Sequence, residues 1–146
     1  MLSALLTEFY ERDLMKVKEE LNLYADEQSV WTLKPGINNS AGTLGLHITG
    51  NLLHFIGAVL GKTGYIRDRD KEFSLRNVSR QELNRQLDET IEVIRKTLPG
   101  ITDVQMEETF PIELNKKTVT TGYVVVHLAI HLGYHLGQIS YHRRMI

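Results

Sequence analysis

Four of the six histidines in the chain, His127, His131, His135 and His142, fall in its last stretch, and their spacing constrains the fold more than any other feature. The segment from about Thr121 to Arg143 reads as a helix. Thr121 is a candidate N-cap, and Arg143 and Arg144 suit the negative end of the helix dipole. At about 100° per residue, His131, His135 and His142 fall within roughly 20° of the direction of Val124, with Leu128 close by. His127 lies about 60° away, at the edge of that face. A second helical segment sets His47 and His54 seven apart, on one face with Leu44, Asn51 and Ala58. Each buried ring needs a hydrogen-bond partner, so five inward imidazoles on two helices are hard to satisfy without an ion or water.

The rest of the chain reads mainly as further helices. From Ser3, a candidate N-cap, to about Leu23, the spacing of Leu5, Leu6, Phe9, Leu14, Val17 and Leu21 predicts a helix with one buried stripe. Turn chemistry follows over Trp31-Thr32-Leu33-Lys34-Pro35-Gly36-Ile37-Asn38-Asn39, after which Ser40 or Thr43 caps the second helix. That helix is expected to run to about Leu60 and to be closed by Gly61 and Gly64. Lys62 to Val78 reads as a long polar connection. Its alternating Arg67-Asp68-Arg69-Asp70-Lys71-Glu72 fits a solvated surface better than a site for an anionic substrate. Ser79-Arg80-Gln81-Glu82 has capping-box spacing and opens a helix through Leu83, Leu87, Ile91, Ile94 and Leu98, ended by Pro99-Gly100. Alternating and β-branched residues between Val104 and Val119, around Leu114-Asn115-Lys116-Lys117, predict a short β-hairpin. The expected fold is all-α, a four-helix bundle with long crossover connections and a short hairpin before the last helix.

Composition narrows the function classes. With 146 residues, 17 basic and 18 acidic side chains and a net charge of −1, the chain is expected to form one domain over residues 1–146 and to bind no nucleic acid through bulk charge. It has no cysteine, which removes a disulfide framework, a thiolate nucleophile and a Cys-based zinc site together. Acidic residues interrupt the N-terminus early, and no segment approaches the roughly 20 apolar residues of a membrane span, so a soluble cytoplasmic protein with no membrane partner is expected. Gly42, Gly45, Gly50, Gly57 and Gly61 suit close helix packing, since a phosphate loop would need a strand and a motif that are absent.

The histidines carry the chemistry. Imidazoles four apart on a helix have Cβ atoms about 5–6 Å apart, close enough for His131 and His135 to reach one ion. Packed helix axes lie about 8–10 Å apart, so a histidine of the second helix can supply a third ligand. Two other metal chemistries fail on spacing. The residues three before each histidine are Leu44, Asn51, Val124, Leu128, Leu132 and Ile139, none of them acidic, which excludes the Glu-x-x-His pattern of di-iron bundles. Leu128 and Leu132 follow His127 and His131, which excludes His-Glu-x-x-His proteases. Imidazole-only ligation suits zinc or nickel as leading expectations, with iron and copper also compatible. Asn51, Gln138 and Tyr141 are polar neighbours more readily explained by helix packing than by catalysis.

The whole pattern resembles the DinB-like superfamily of small metal-binding four-helix bundles. The resemblance is carried by Trp31-x-x-Lys-Pro-Gly, by Leu46-His47-Ile48-Thr49-Gly50-Asn51-Leu52, and by His127-Leu128-Ala129-Ile130-His131-Leu132-Gly133-Tyr134-His135-Leu136-Gly137-Gln138-Ile139. It implies that His47, His131 and His135 are the metal ligands, and it assigns no role to His54, His127 or His142. Leu136 departs from the pattern, since many relatives have arginine before Gly-Gln. Relatives include S-transferases and isomerases that use a low-molecular-weight thiol, so the resemblance implies a divalent-metal-dependent, thiol-dependent S-transferase acting on a small molecule, and a homodimer. Three alternatives stand beside it: a metal-dependent hydrolase; a non-catalytic metal-binding or stress-response protein whose coordination is completed by His54 or His127; and a structural bundle with hydrogen-bonded histidines.

Overall fold

Apolar spacing builds four long helices. Helix α1 (Leu2–Asn22) buries Leu6, Tyr10, Leu14, Val17 and Leu21 along one stripe. Leu5 and Phe9 sit to the side of that stripe and are exposed. Ser3 is not the cap: the helix starts at Leu2 after an uncapped Met1, and Ser3 is buried within its first turn. Helix α2 (Ala41–Leu52) is capped by the Ser40 hydroxyl, which accepts the Thr43 N–H, and is buried on every side. It continues into a wider π-type segment, Leu53–Leu60, whose last bond runs from the Gly61 N–H to the Ile56 carbonyl at 2.8 Å. The helical course to Leu60 and its closure at Gly61 follow the sequence expectation, although the left-handed turn comes after that cap. Lys62 and Gly64 take positive φ of 52° and 80°, while Gly61 stays helical and is required for space, because a Cβ there would lie 2.6 Å from Thr97 Oγ1.

The computed structural model describes residues 1–146; 69% of them are helical and none forms a strand, so the fold is all-α. The other helices are α3 (Arg69–Ser74), α4 (Arg80–Thr97), α5 (Asp103–Glu107) and α6 (Thr121–Met145). Helix α4 starts at the predicted Ser79 cap, and α6 is capped by Thr120, one residue before the expected Thr121. One sequence expectation fails on length. Ala41–Leu60 is a continuous 20-residue helix apolar enough to cross a membrane, although 72% of its apolar window is buried inside the chain. Its apolar surface is therefore taken up by the core, as expected of a helix that is hydrophobic all round.

Helix α1 packs against α6 and α4, and α2 packs against the same pair. Contacts between Tyr10 and Val125 and between Tyr24 and Ile139 run α1 and α6 in the same direction. Ion pairs Glu11 with Arg95 and Lys18 with Asp88 set α4 antiparallel to α1. Thr49 beside Gln86 and Gly57 beside Val93 make α2 and α4 parallel. A connection between parallel helices must return along their length, and this one brings α3 against α2. The stretch read as a solvated loop is therefore partly helical. Asp68 caps α3 through the Lys71 N–H, and Glu72 is only 6% exposed.

The predicted hairpin reduces to two isolated bridges, Thr109 with Thr120 and Leu114 with Lys117. Asn115 and Lys116, with φ of 50° and 64°, make the tight two-residue turn that suits a hairpin. Residues 110–113 on one side face only 118 and 119 on the other, so the two bridges are out of register. Pro111 also has no N–H to give to a ladder. Val104 belongs to α5, whose Thr102–Gln105 capping box turns the chain there into a helix.

Candidate metal centre

His47 occupies the middle of α2, and His131 and His135 lie one turn apart on α6. The hollow shared by Leu44, Gln138 and Tyr141 shows that the start of α2 meets the end of α6, so the two helices run antiparallel. This puts His47 opposite the His131–His135 pair. The Nε2 atoms of His47 and His131 are 3.1 Å apart, those of His135 and His131 are 3.0 Å apart, and one nitrogen from each ring falls within 4.8 Å of the others. Two imidazole nitrogens bound to one zinc ion at about 2.0–2.1 Å would sit roughly 3.3 Å apart at tetrahedral angles. A ring nitrogen offers either one proton or one lone pair, yet His131 Nε2 faces two partners. Hydrogen bonds between the rings do not satisfy that convergence, whereas a cation shared by three lone pairs does. The three residues thus fit a divalent ion in both number and chemistry.

Residues 2–146 match the family described as "Protein of unknown function (DUF1572)". The chain belongs to the DUF1572 family. It is a DinB-like family. No curated protein matches the sequence.

In this DUF1572 protein, outer partners hold two of the three rings. Gln138 Oε1 accepts the His135 Nδ1 proton at 2.7 Å, so Gln138 serves the site and not only helix packing. His47 Nδ1 meets Glu72 Oε1 at 3.0 Å, and Arg67 grips the same carboxylate through Nε to Oε2 at 2.8 Å and Nη2 to Oε1 at 2.9 Å. Phe73 packs on the His47 ring with centroids 4.9 Å apart. Burial and the neighbouring histidines push His131 down to about 4. Burial also lowers His135, against the opposing effect of the hydrogen bond it donates to Gln138. Burial alone would raise the Glu72 carboxyl, but Arg67 and His47 outweigh it and hold it below the usual carboxylate range. Neutral imidazoles beside an ionised acid are the state a metal requires.

The remaining histidines lie outside this group of three. His142 is 3% exposed and hydrogen-bonded on both nitrogens, to the Tyr24 hydroxyl through Nδ1 and to the Thr32 carbonyl at 2.8 Å through Nε2. It faces inward, as its helical angle predicts, and acts as a satisfied core residue. His54 lies against Phe55 at 4.8 Å, with its pKa lowered by burial and then by Arg67. His127 stacks on Tyr123 at 6.0 Å with ring planes 9° apart. Asn51, one turn after His47, keeps a buried Oδ1 with no partner, and Tyr141 is exposed. Sequence reading missed Arg67 and Glu72. The signals for them were Asp68 placed to cap a short helix and Gly50 leaving a gap in the facing wall of α2.

Proposed function

We propose that this protein is a DinB-like four-helix bundle with a divalent-metal-dependent enzyme site formed by His47, His131 and His135. Its reaction on this reading is thiol-dependent S-transfer to a small molecule. The convergence of three imidazole nitrogens from α2 and α6 carries the reading. His47, His131 and His135 would hold a divalent ion with three protein ligands, and such an ion would supply the Lewis acidity that turns a thiol or water into a nucleophile at neutral pH. His131 and His135, kept as free bases by burial, supply lone pairs to hold the ion. Zinc or nickel suits the imidazole set, with iron and copper compatible.

The absence of cysteine fits a scheme in which sulfur arrives with the cosubstrate. In that transfer the thiol sulfur forms a bond to an electrophilic carbon of the substrate, and the displaced group departs with the thiol proton. A hollow of about 330 Å³, lined by Leu44, Tyr141 and His142, reaches Gln138, the partner of His135, but none of the three converging histidines lines it. It is at the small end of the range for small-molecule sites. A larger hollow of about 590 Å³, around Gly61, Lys96 and Gln105, has neither these histidines nor Gln138 in its wall. Hydrolysis by an activated water remains the alternative chemistry for the same centre. A closed, non-catalytic site is less well supported, since neither His54 nor His127 joins the cluster. A homodimer stays part of the proposal, and the exposed Val126, Ile130 and Tyr134 along α6 offer an apolar stripe for it.

The deciding measurement is metal content per chain after purification without tag or chelator, for wild type and His47→Ala, with folding checked on both. Near-stoichiometric metal that is lost in the variant supports the reading and justifies assays of thiol transfer and hydrolysis. A folded wild type that holds no divalent metal, even after metal is added, overturns it.

A further inference from the structure

Glu72 is the one carboxylate among the buried residues, and it lies on the crossover between α2 and α4, away from the helices that carry the histidines. Its surroundings are built for it. Both oxygens are used, Oε1 by His47 Nδ1 and Arg67 Nη2 and Oε2 by Arg67 Nε. An ionised carboxylate only accepts hydrogen bonds, so the bond at 3.0 Å fixes a proton on His47 Nδ1, and in the neutral ring the lone pair is then on Nε2, which faces His131. The facing wall of α2 is cleared at Gly50, where a Cβ would lie 2.0 Å from Oε2 and 2.5 Å from Cδ of Glu72. Glycine is unfavourable in a helix interior, and here it makes room for the acid. The same short helix brings Phe73 against the His47 ring, and the Arg69 guanidinium lies over the Phe73 ring at 5.0 Å from its centroid.

We propose that Glu72, gripped by Arg67 and seated over Gly50, is the positioning residue of the centre, selecting the tautomer of His47 and aiming its Nε2 at the other two histidines. The function of the crossover is then to deliver this carboxylate. His135 is aimed by the neutral amide of Gln138, so His47 is the ligand whose basicity is raised by a negative charge. Carboxylates that hydrogen-bond a metal-binding histidine act in this way, and their loss costs about 10–100-fold in metal affinity.

The inference rests on the three-histidine reading for its metal consequence but not for its tautomer, so the two are tested separately. Nitrogen-15 NMR of metal-free wild type at neutral pH is expected to show His47 protonated on Nδ1 and bare on Nε2. A proton on Nε2 overturns the proposal whether or not the protein binds metal. Zinc titration of folded Glu72→Ala, which leaves His47 Nδ1 no acceptor at that position, is expected to show affinity lower than wild type by about 10–100-fold, with the His47 tautomer no longer fixed. Unchanged affinity together with an unchanged tautomer overturns the proposal. A wild type that binds no zinc overturns the metal reading instead, and the metal-free spectrum still decides the role of Glu72.

Discussion

Gly50 lies directly beneath Glu72: a side chain at position 50 would bring its Cβ to within 2.0 Å of the buried carboxylate. Ala at this position removes no donor, acceptor or ligand, yet it occupies the space that Glu72 needs. Helix propensity favours Ala over Gly by about 1 kcal/mol, so an exposed helix would gain from the change. Here Gly50→Ala is expected to destabilise the fold by about 1–3 kcal/mol, as overpacking does, and to weaken metal binding by displacing the acid from His47. Chemical denaturation and a zinc titration check the two effects. A variant more stable than wild type with unaltered metal affinity would show that the crossover yields without disturbing the centre.

Replacing both His131 and His135 with Ala removes two of the three converging nitrogens while leaving the neighbouring buried residues of the same helix, Leu128 and Leu132, untouched. Both histidines are only partly buried, so the helix keeps its packing. The double variant is expected to remain helical by circular dichroism and to retain almost no divalent metal by elemental analysis. Metal stoichiometry equal to that of wild type would place the ion elsewhere.

Much of this was legible from spacing. Helical periodicity is local, and it located α2, α4 and α6, the Ser40 and Ser79 caps, and the shared faces that bring His47 to His131 and His135. The angle that placed His142 inward was also right, but an angle does not say what a ring meets. The meeting of His142 with Tyr24 and Thr32 depends on how α6 settles against α1 and the Trp31 turn. Glu72 was hidden for a related reason. In sequence it ends an alternating run of charges, the usual mark of a solvated surface. Its burial follows from the parallel course of α2 and α4, which forces the connection back across His47. The hairpin failed at Pro111 and at the unequal strand lengths, features that matter only once pairing is attempted.

The depressed histidines make the metal-free protein sensitive to mild acid. In the unfolded chain His131 titrates near its ordinary value of 6.5, whereas burial and the neighbouring histidines hold it down to about 4 in the fold. His135 shifts in the same direction. Between those values the unfolded chain binds more protons than the folded one, so stability rises with pH and is lost as pH falls below 6.5. The carboxylates held low, such as Glu72, begin to contribute only near their ordinary value of 4.5, so the decline from 6.5 to 4.5 belongs to histidine. Urea midpoints of metal-free protein across that interval are expected to fall steadily, with a shallower fall in His131→Ala. Equal slopes for the two proteins would mean that His131 does not titrate out of step with the unfolded chain.

His142 provides the contrast that separates a ligand from a core residue. It shares its direction on α6 with His131 and His135, yet both of its ring nitrogens are already taken, by the Tyr24 hydroxyl and the Thr32 carbonyl. Its removal takes the donor from the half-buried Thr32 carbonyl and leaves the Tyr24 hydroxyl only its longer bond to the Ile139 carbonyl at 3.3 Å, and a buried polar group left unpaired costs about 1–3 kcal/mol. His142→Ala is therefore expected to lower stability at least as much as the loss of His131 or His135 does in metal-free protein, through the detachment of α6 from the Trp31 turn. Metal content per folded chain is expected to stay at the wild-type level, because neither nitrogen points at the centre. Denaturation and elemental analysis of the same sample read both quantities, and loss of metal from a chain that is still folded would bring His142 into the site.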